Sequence, residues 1–251
     1  MKIYEAKNIR NLALVGHAGS GKTTLAESIL FQAGSINRRG TVEDHNTVSD
    51  YNEIEHERTS SVFSSPMFAE FGDTKINFID TPGYDDYIGE MLAVQHVCDA
   101  TCVVMNALNG IEVGAENGLT YAEKMGKPVF FVINKIDNEQ AKFDALIEEL
   151  KGQYGVKVTP FQYPLKSGLN FNTVIDILQM KAYTYDGSNE PKVSDIPASE
   201  ASKVESMRNE LVESIAESDE DLMNIYFEEG SLTDEQDRKS TRLNSSHIPL
   251  S

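Results

Sequence analysis

The chain has 251 residues, 40% of them hydrophobic, which is enough for one large domain or two small ones with a packed core. Its formal net charge of -18 excludes binding to nucleic acid through a generally basic surface, so we expect no direct binding of DNA. No apolar run reaches the roughly 18 residues of a membrane span, and the N-terminus has no apolar segment of the kind found in secretion signals. Cys98 and Cys102 lie in an apolar stretch, which predicts buried reduced thiols and a cytoplasmic protein without membrane contact.

The most informative stretch lies near the N-terminus. An apolar run ends at Val15, a glycine-rich turn follows, and the next residues repeat at the spacing of an amphipathic helix. This strand, loop and helix contain Gly-x-x-x-x-Gly-Lys-[Ser/Thr] from Gly16 to Thr23, the pattern of a phosphate-binding loop. A glycine-rich turn can match this pattern by chance. The predicted strand before it and the predicted helix after it favour a phosphate-binding loop instead.

Each residue type in this loop has a separate task. The glycines let the backbone turn several N–H groups inward, and the helix that begins near Lys22 adds its positive N-terminal end. Lys22 can reach the β- and γ-phosphates, and the Thr23 hydroxyl can ligate Mg²⁺. The predicted phosphate-binding residues are Gly16, His17, Ala18, Gly19, Ser20, Gly21, Lys22, Thr23 and Thr24.

The following helix is predicted to end near Gly34. Residues 35–61 are polar and show no clear period, which predicts a long loop that is either functional or disordered. Residues 62–71 and 75–80 then read as two strands of a hairpin that turns at Gly72-Asp73.

A second motif, Asp80-Thr-Pro-Gly83, follows that strand directly. A carboxylate at a strand end can hold Mg²⁺ through water, and the Gly83 N–H can meet a γ-phosphate. Considered alone, the tetrapeptide is typical of an ordinary turn. Its position in the sequence after a phosphate-binding loop favours a nucleotide site. We therefore add Asp80, Thr81, Pro82 and Gly83 to the predicted nucleotide contacts.

The next elements alternate between helix and strand. Helices are predicted over 86–97 and 114–125, and strands over 100–107 and 128–133. Residues 128–133 are wholly apolar, as expected of a strand that is buried on both faces.

The third motif, Asn134-Lys-Ile-Asp137, selects the base. A carboxylate at Asp137 can accept hydrogen bonds from guanine N1–H and the guanine 2-amino group, whereas adenine offers neither donor and leaves the carboxylate unpaired. Asn134 can brace the loop and bond the base edge, and the Lys135 stem can lie over the ring. A charged surface turn is the alternative, which the order of the three motifs disfavours.

All three motifs follow predicted strands, and the carboxyl ends of parallel strands meet at one edge of a sheet. The sequence therefore predicts an α/β fold with a mostly parallel sheet that binds GTP or GDP with Mg²⁺.

The residues that carry these motifs resemble elongation factor G and its translational GTPase relatives. Further stretches align in the same order, and the resemblance extends from about Arg10 to about Gln236. These stretches are Glu55–Ser61, Val158–Leu165, Val174–Ala182 and Asp219–Tyr226.

The resemblance implies a Ras-like P-loop domain with an inserted α+β subdomain, truncated at the C-terminus. It predicts a GTPase core over 1–157 and an incomplete inserted subdomain over 158–237. It also implies a monomer that hydrolyses GTP at the large-subunit factor-binding site of the ribosome and meets the acidic stalk protein.

Residues 238–251 have no acids, no helical period and no likeness to the family, and they resemble a translated vector end, so we expect a non-native, disordered tail there. The alternative is a native tail.

Three departures from the family pattern matter. Gly19 stands where the family usually has Asp, which puts dependence on a monovalent cation in doubt. Ser61 stands where a threonine meets Mg²⁺, and its hydroxyl should still serve, so the predicted metal set is Thr23, Ser61 and Asp80. Tyr84 stands where a histidine orients the attacking water.

The Tyr84 departure predicts slow hydrolysis. A phenol can hydrogen-bond water, but it ionises only near about pH 10 and accepts a proton poorly at neutral pH. The alternative is that Tyr84 only packs. The predicted catalytic set is Lys22, Gly83 and Tyr84, while His17 is interpreted as a loop filler that offers its backbone N–H.

Two interpretations of the second half remain open. In one, residues 165–169 form a fifth nucleotide loop and residues 171–180 a closing helix. In the other, which we favour, this stretch begins the inserted subdomain and residues 179–185 continue as a strand. Residues 186–199 are predicted to be a loop-rich connection, and a helix with Val204, Met207, Leu211 and Ile215 on one face follows.

The leading functional hypothesis is a factor G-like protein that acts in translocation or ribosome recycling, with slow turnover. GTP would order residues 35–61 and the Tyr84 loop. The alternatives are a release-factor or ribosomal-protection GTPase, or a GTP-binding module without useful turnover.

Overall fold

The computed structural model describes residues 2–155, 158–187 and 190–216. The aligned stretch Asp219–Tyr226 and the predicted tail over 238–251 lie outside these residues. The described part contains nine strands and six α-helices. The strands are β1 Ile9–Val15, β2 Ser65–Phe71, β3 Thr74–Asp80, β4 Ala100–Asn106, β5 Val129–Asn134, β6 Gln162–Pro164, β7 Thr173–Asp176, β8 Lys181–Thr184 and β9 Lys192–Asp195. The helices are α1 Lys22–Gln32, α2 Glu53–Arg58, α3 Ile88–Val97, α4 Val113–Lys124, α5 Phe143–Tyr154 and α6 Ala201–Ala216.

The described residues fall into two compact units, one before and one after the bond between Asn134 and Lys135. The first unit has a five-stranded sheet in the order β2-β3-β1-β4-β5. Strands β3, β1, β4 and β5 are parallel, and only β2 is antiparallel, as the hairpin partner of β3. The predicted α/β class with a mostly parallel sheet is confirmed.

Alternation along β1 explains how helices cover both faces of this sheet. Leu14 joins a core with Ala26 and Leu30 of α1, whereas the neighbouring Val15 lies against Gly118 of α4. Both strand residues are fully buried. Since parallel strands pair in register, the carboxyl ends of β1, β3, β4 and β5 meet at one edge of the sheet.

The second unit has an antiparallel sheet in the order β6-β7-β8-β9. Its core contains Tyr163, Ile175 and Ala182 from the strands and Val204 and Leu211 from α6. Phe143 of α5 packs against the same core. This unit therefore has a hydrophobic core of its own.

The strand β7 overturns one part of the first interpretation of residues 165–180. The closing helix that the first interpretation needs is absent, because Thr173–Asp176 is a strand, and Lys181–Thr184 continues as β8. The domain boundary at 157/158 stays a prediction.

Three local predictions need correction. Residues 35–61 are not one loop, since α2 forms within them, with Asn52 before its first turn and the Glu55 side chain accepting the Asn52 N–H at 3.2 Å. Residues 186–199 contain β9, which hydrogen bonds to β8. All of β5 is only partly buried, because its one described strand neighbour is β4.

Other predictions agree closely with the structure. The hairpin turns at Gly72, which takes the left-handed φ of 58°. Cys98 and Cys102 are both free and buried, and burial raises their pKa values to about 11 and about 12. Met207 lies partly buried beside Val204 and Leu211 as predicted, while the Ile215 side chain lies outside the described part. Among the described helices, none is long and apolar enough to cross a bilayer.

We expect Gly114→Ala to destabilise the first unit. A Cβ at Gly114, in the first turn of α4, would lie 2.6 Å from the Cα of His17, so backbone must shift. Overpacking of this kind lowers the free energy of unfolding by about 1–3 kcal/mol. Urea denaturation measures the change.

Gly89→Ala is the matched control, because a Cβ at Gly89 in α3 would meet nothing within 4 Å. The added helix propensity should raise the free energy of unfolding by up to about 1 kcal/mol. Equal stabilisation by both substitutions would show that α4 tolerates a side chain against the phosphate loop.

Candidate nucleotide site

The phosphate-loop sequence forms a turn whose backbone conformation favours glycine. Gly16, Gly19 and Gly21 have φ values of 143°, 75° and 98°, in the region that L side chains rarely adopt. A Cβ at Gly16 would lie 2.3 Å from the Val104 carbonyl oxygen, and one at Gly21 would lie 2.2 Å from Asn134 Nδ2. The loop is therefore pressed against the ends of β4 and β5.

Lys22, the first residue of α1, reaches back across the loop. Its Nζ donates to the carbonyl oxygens of Gly16 at 2.8 Å and His17 at 3.0 Å. Burial lowers the Lys22 pKa to about 8, against the opposing effect of the nearby acids Asp80, Asp50 and Glu112. The ammonium group is thus held inside the loop, where it can serve as a donor to an anion.

Other loop residues have structural contacts that the sequence did not reveal. The His17 Nδ1 accepts the Gly114 N–H at 3.4 Å, and its Nε2 lies 4.0 Å from a Glu112 carboxylate oxygen. Ser20 is fully buried, and its Oγ meets no hydrogen-bond partner among the described residues. Thr24 is exposed, and Ala18 is half-buried.

Gly83 lies directly against the phosphate loop. A Cβ there would be 2.5 Å from both the Ala18 backbone nitrogen and the Lys22 Nζ. Thr81 fixes this segment, because its Oγ1 donates to the Leu14 carbonyl oxygen at 2.6 Å, and Pro82 beside it is buried. Tyr84 is 49% exposed, so its phenol projects from the segment rather than filling the core.

Four oxygen-bearing side chains form a connected cluster at the start of α1. Thr23 Oγ1 donates to Asp80 Oδ2 at 2.6 Å and lies 3.3 Å from Ser61 Oγ. Ser61 Oγ in turn donates to Asp50 Oδ1 at 2.8 Å. The structure thus brings together the predicted metal set and adds Asp50, which the sequence placed in the long polar segment without a role.

The cluster fits Mg²⁺, which prefers hydroxyl and carboxylate oxygens. Asp80 is 1% exposed, and its Oδ1 meets no hydrogen-bond partner within the described ranges. Burial raises the Asp80 pKa to about 6, with Lys22 and Thr23 opposing the rise. A buried, unpartnered carboxylate oxygen beside two hydroxyl groups is what a cation or its water shell would satisfy.

We expect Mg²⁺ stabilisation of this chain in the presence of GDP to be lost as the pH falls through about 6. Below that pH a proton competes with the cation for the Asp80 carboxylate, because burial raises its pKa to about 6 in the metal-free chain. Without metal, the free energy of unfolding changes with pH in the opposite direction. The raised pKa of the Asp80 carboxyl stabilises the folded state at low pH, and this contribution is lost as the pH rises through about 6.

Thermal unfolding with and without Mg²⁺ between about pH 5 and about pH 7.5 measures both effects. Asp80→Asn is the control, since the amide cannot titrate and should reduce the pH dependence of the Mg²⁺ effect to the part that the nucleotide phosphate contributes. An Mg²⁺ effect that is constant over this range would show that Asp80 does not attract the cation.

The predicted base-recognition motif is divided between the two units. In the first unit, Asn134 Nδ2 donates to the Ser20 carbonyl oxygen at 2.9 Å, which links the end of β5 to the phosphate loop. Lys135 and Asp137 belong to the second unit, where both are exposed and line an open recess of about 760 Å³. Lys135 has a left-handed φ of 60°, and the Asn138 N–H donates to the Lys135 carbonyl oxygen at 3.3 Å.

Residues 165–169 contact the Asp137 loop inside the second unit. The Gly168 N–H donates to the Ile136 carbonyl oxygen at 2.8 Å, and Leu169 lines the same recess as Asp137. The sequence alone raised this segment as an alternative nucleotide loop. The structure gives it a contact with the predicted base-recognition loop and also places it next to β6 and β7 of the four-stranded sheet.

Several known proteins are similar to this chain. The family described as elongation factor Tu GTP binding domain matches residues 7–218. An elongation factor G-like protein of Thermotoga maritima is 36% identical over 222 residues, which are 88% of this chain and 31% of that protein. Elongation factor G of Mycoplasma genitalium is 34% identical over 229 residues, which are 90% of this chain and 33% of that protein.

A solved structure is similar over nearly the whole chain. The crystal structure of a Thermus thermophilus protein has a TM-score of 0.88 at 34% identity, and the match covers 95% of this chain and 36% of that chain. The chain therefore spans about a third of the length of these relatives.

Proposed function

Because this chain belongs to the elongation factor Tu GTP-binding domain family, we propose that it binds GTP and GDP with Mg²⁺ as the nucleotide domain of a factor G-like protein. The observation that carries the proposal is the cluster of Thr23, Asp80 and Ser61 next to Lys22, at the carboxyl ends of parallel strands. Phosphates and a divalent cation are the ligands that this donor set suits.

The residues divide the task by their chemistry. Lys22 and the inward N–H groups of residues 16–24 bind the phosphates, and the Gly83 N–H meets the γ-phosphate. Thr23, Ser61 and Asp80, with Asp50 behind Ser61, would hold Mg²⁺, which when bound neutralises charge on the β- and γ-phosphates. Asn134, Lys135 and Asp137 bind guanine.

We propose that the activity of the whole protein is GTP hydrolysis on the ribosome, in translocation or recycling, within the cytoplasm. The large-subunit factor site and the acidic stalk protein are the proposed partners, and we propose that the protein is a monomer. The division into a core over 1–157 and an inserted subdomain over 158–237 is part of the same proposal. Tyr84 makes the hydrolysis slow.

Calorimetric titration of the chain with GTP, GDP and ATP in Mg²⁺ tests the nucleotide part. We expect guanine nucleotides to bind at least about 100-fold more tightly than ATP, because adenine leaves the Asp137 carboxylate unpaired. Preference for ATP, or no uptake of any nucleotide by the full reading frame, would contradict the proposal. Turnover of the full reading frame with purified ribosomes tests the ribosomal part.

A further inference from the structure

Glu27 is a buried carboxylate that the proposed nucleotide site does not use. It lies in α1 four residues after Thr23, on the same face of the helix, and is 1% exposed. A buried carboxylate needs hydrogen-bond donors, and those of Glu27 come from a distant part of the chain. The Gly40 N–H donates to Oε2 at 2.8 Å, and the Val48 N–H donates to Oε1.

Between these two donors the chain makes a closed loop. The Thr41 N–H donates to Asn46 Oδ1 at 2.8 Å, and the Asn46 N–H donates back to the Thr41 carbonyl oxygen. A Cβ at Gly40 would lie 2.4 Å from the Asn46 carbonyl oxygen, so the loop is closely packed. One carboxylate of α1 therefore fastens both ends of residues 40–48.

A second buried carboxylate fastens the other end of the segment. Glu55, also 1% exposed, accepts the N–H groups of Val62 at 3.0 Å and Phe63 at 3.1 Å. Burial alone would raise the Glu55 pKa, but these N–H groups and those of Asn52 outweigh it and lower the pKa below its ordinary value.

Asp50 and Ser61 lie between these two anchors, and both belong to the cluster at Thr23. Because residues 48 and 62 are fixed, the side chains of Asp50 and Ser61 are held close to Thr23. Glu27 and Thr23 are in one helix, so the same rigid element holds the metal-site hydroxyl and the anchor of the segment that approaches it.

We propose that Glu27 is a positioning residue, which ties residues 40–48 to α1 and thereby presents Asp50 and Ser61 to the metal site. The tie itself is a property of the protein alone. Its effect on Mg²⁺ rests on the proposed function.

Limited trypsin digestion of the nucleotide-free chain tests the tie. Arg38 and Arg39 are exposed and directly precede Gly40, so cleavage after them reports opening of the segment. Glu27→Gln presents an amide donor to one of the two N–H groups, and we expect cleavage at these sites to be about tenfold faster. Glu57→Gln, at an exposed position of α2 in the same segment, should leave the rate unchanged.

A wild-type cleavage rate in Glu27→Gln would overturn the proposal. If that variant shows no cooperative thermal transition, Glu27→Asp decides. Asp keeps the charge but is one methylene shorter, so it cannot reach both donors, and cleavage should again be faster than in the wild type. Unchanged cleavage in a folded Glu27→Asp would likewise overturn the tie.

The Mg²⁺ requirement for GTP binding separates positioning from a merely structural role. We expect Glu27→Gln to raise the Mg²⁺ concentration for half-maximal binding about tenfold, and Mg²⁺-free GDP binding to stay unchanged. An unchanged Mg²⁺ requirement would overturn the link to the metal site. Absence of GTP binding in the wild type would refute the proposed function, while the trypsin result would still decide the tie.

Discussion

Replacing Asp137 by Asn will transfer the base preference of the chain from guanine to xanthine. In the proposed site the carboxylate accepts two donors from guanine, whereas an amide would accept from N1–H but turn its own NH₂ group toward the 2-amino group. Two donors that face each other lose a hydrogen bond and leave both groups unpaired. We expect GTP affinity to fall about 100-fold or more.

Xanthine carries a carbonyl oxygen at position 2, which the Asn NH₂ group can meet. Xanthosine triphosphate should therefore bind the variant more tightly than GTP does. Asp137 is exposed, and the loop is held by other groups, among them the Gly168 N–H on the Ile136 carbonyl oxygen at 2.8 Å. The substitution should therefore leave folding intact.

Competition of both triphosphates against a fluorescent GDP measures the change. Glu139→Gln is the matched control, since Glu139 is exposed in the same loop and lines the same recess. If Glu139→Gln weakened GTP as much as Asp137→Asn does, or if Asp137→Asn kept the wild-type preference, Asp137 would not be the residue that reads the base.

Replacing Tyr84 by His will accelerate ribosome-stimulated GTP hydrolysis by the full reading frame by about 100-fold, because a positioned imidazole can take a proton that a phenol takes poorly. The backbone at this position is already fixed. Gly83 lies against Ala18, and the Tyr87 N–H donates to the Tyr84 carbonyl oxygen at 3.0 Å. Since Tyr84 is 49% exposed, the new side chain meets water without repacking the core.

The assay compares turnover at saturating GTP for wild type, Tyr84→His and Tyr84→Phe. Nucleotide affinity should be the same in all three, because the change concerns only the attacking water. Tyr84→Phe should be slower than wild type if the phenol hydroxyl holds that water. Equal rates for the wild type and Tyr84→His would contradict the proposal that Tyr84 makes hydrolysis slow.

The sequence was most informative where residue types serve a local geometry. The phosphate loop, the hairpin turn at Gly72 and the helices that follow the first two motifs all depend on near neighbours. The order of three motifs after three strands also predicted the shared edge of the sheet, because parallel pairing fixes where the strand ends meet.

Local sequence patterns do not reveal polar contacts between residues that are far apart in the chain. Glu27 gives no pattern signal, since its partners are backbone N–H groups of a segment without period. Helix α2 has only six residues, which is too short for a helical repeat to be visible in the sequence. Its first turn is stabilised by the Glu55 side chain. The apolar sequence of strand β5 predicted burial on both faces. Its actual exposure depends on which neighbouring elements cover it, and the sequence of the strand does not contain that information.

The protonated, enclosed state of the two native thiols has a practical consequence for spectroscopy. Cys98 and Cys102 will react slowly with maleimide dyes near neutral pH, because thiolate is scarce and access is blocked. A cysteine introduced at an exposed position such as Glu57 will therefore take a single dye in the otherwise unaltered chain. Fluorescence from that dye can report whether the surroundings of residues 35–61 change when a nucleotide is added.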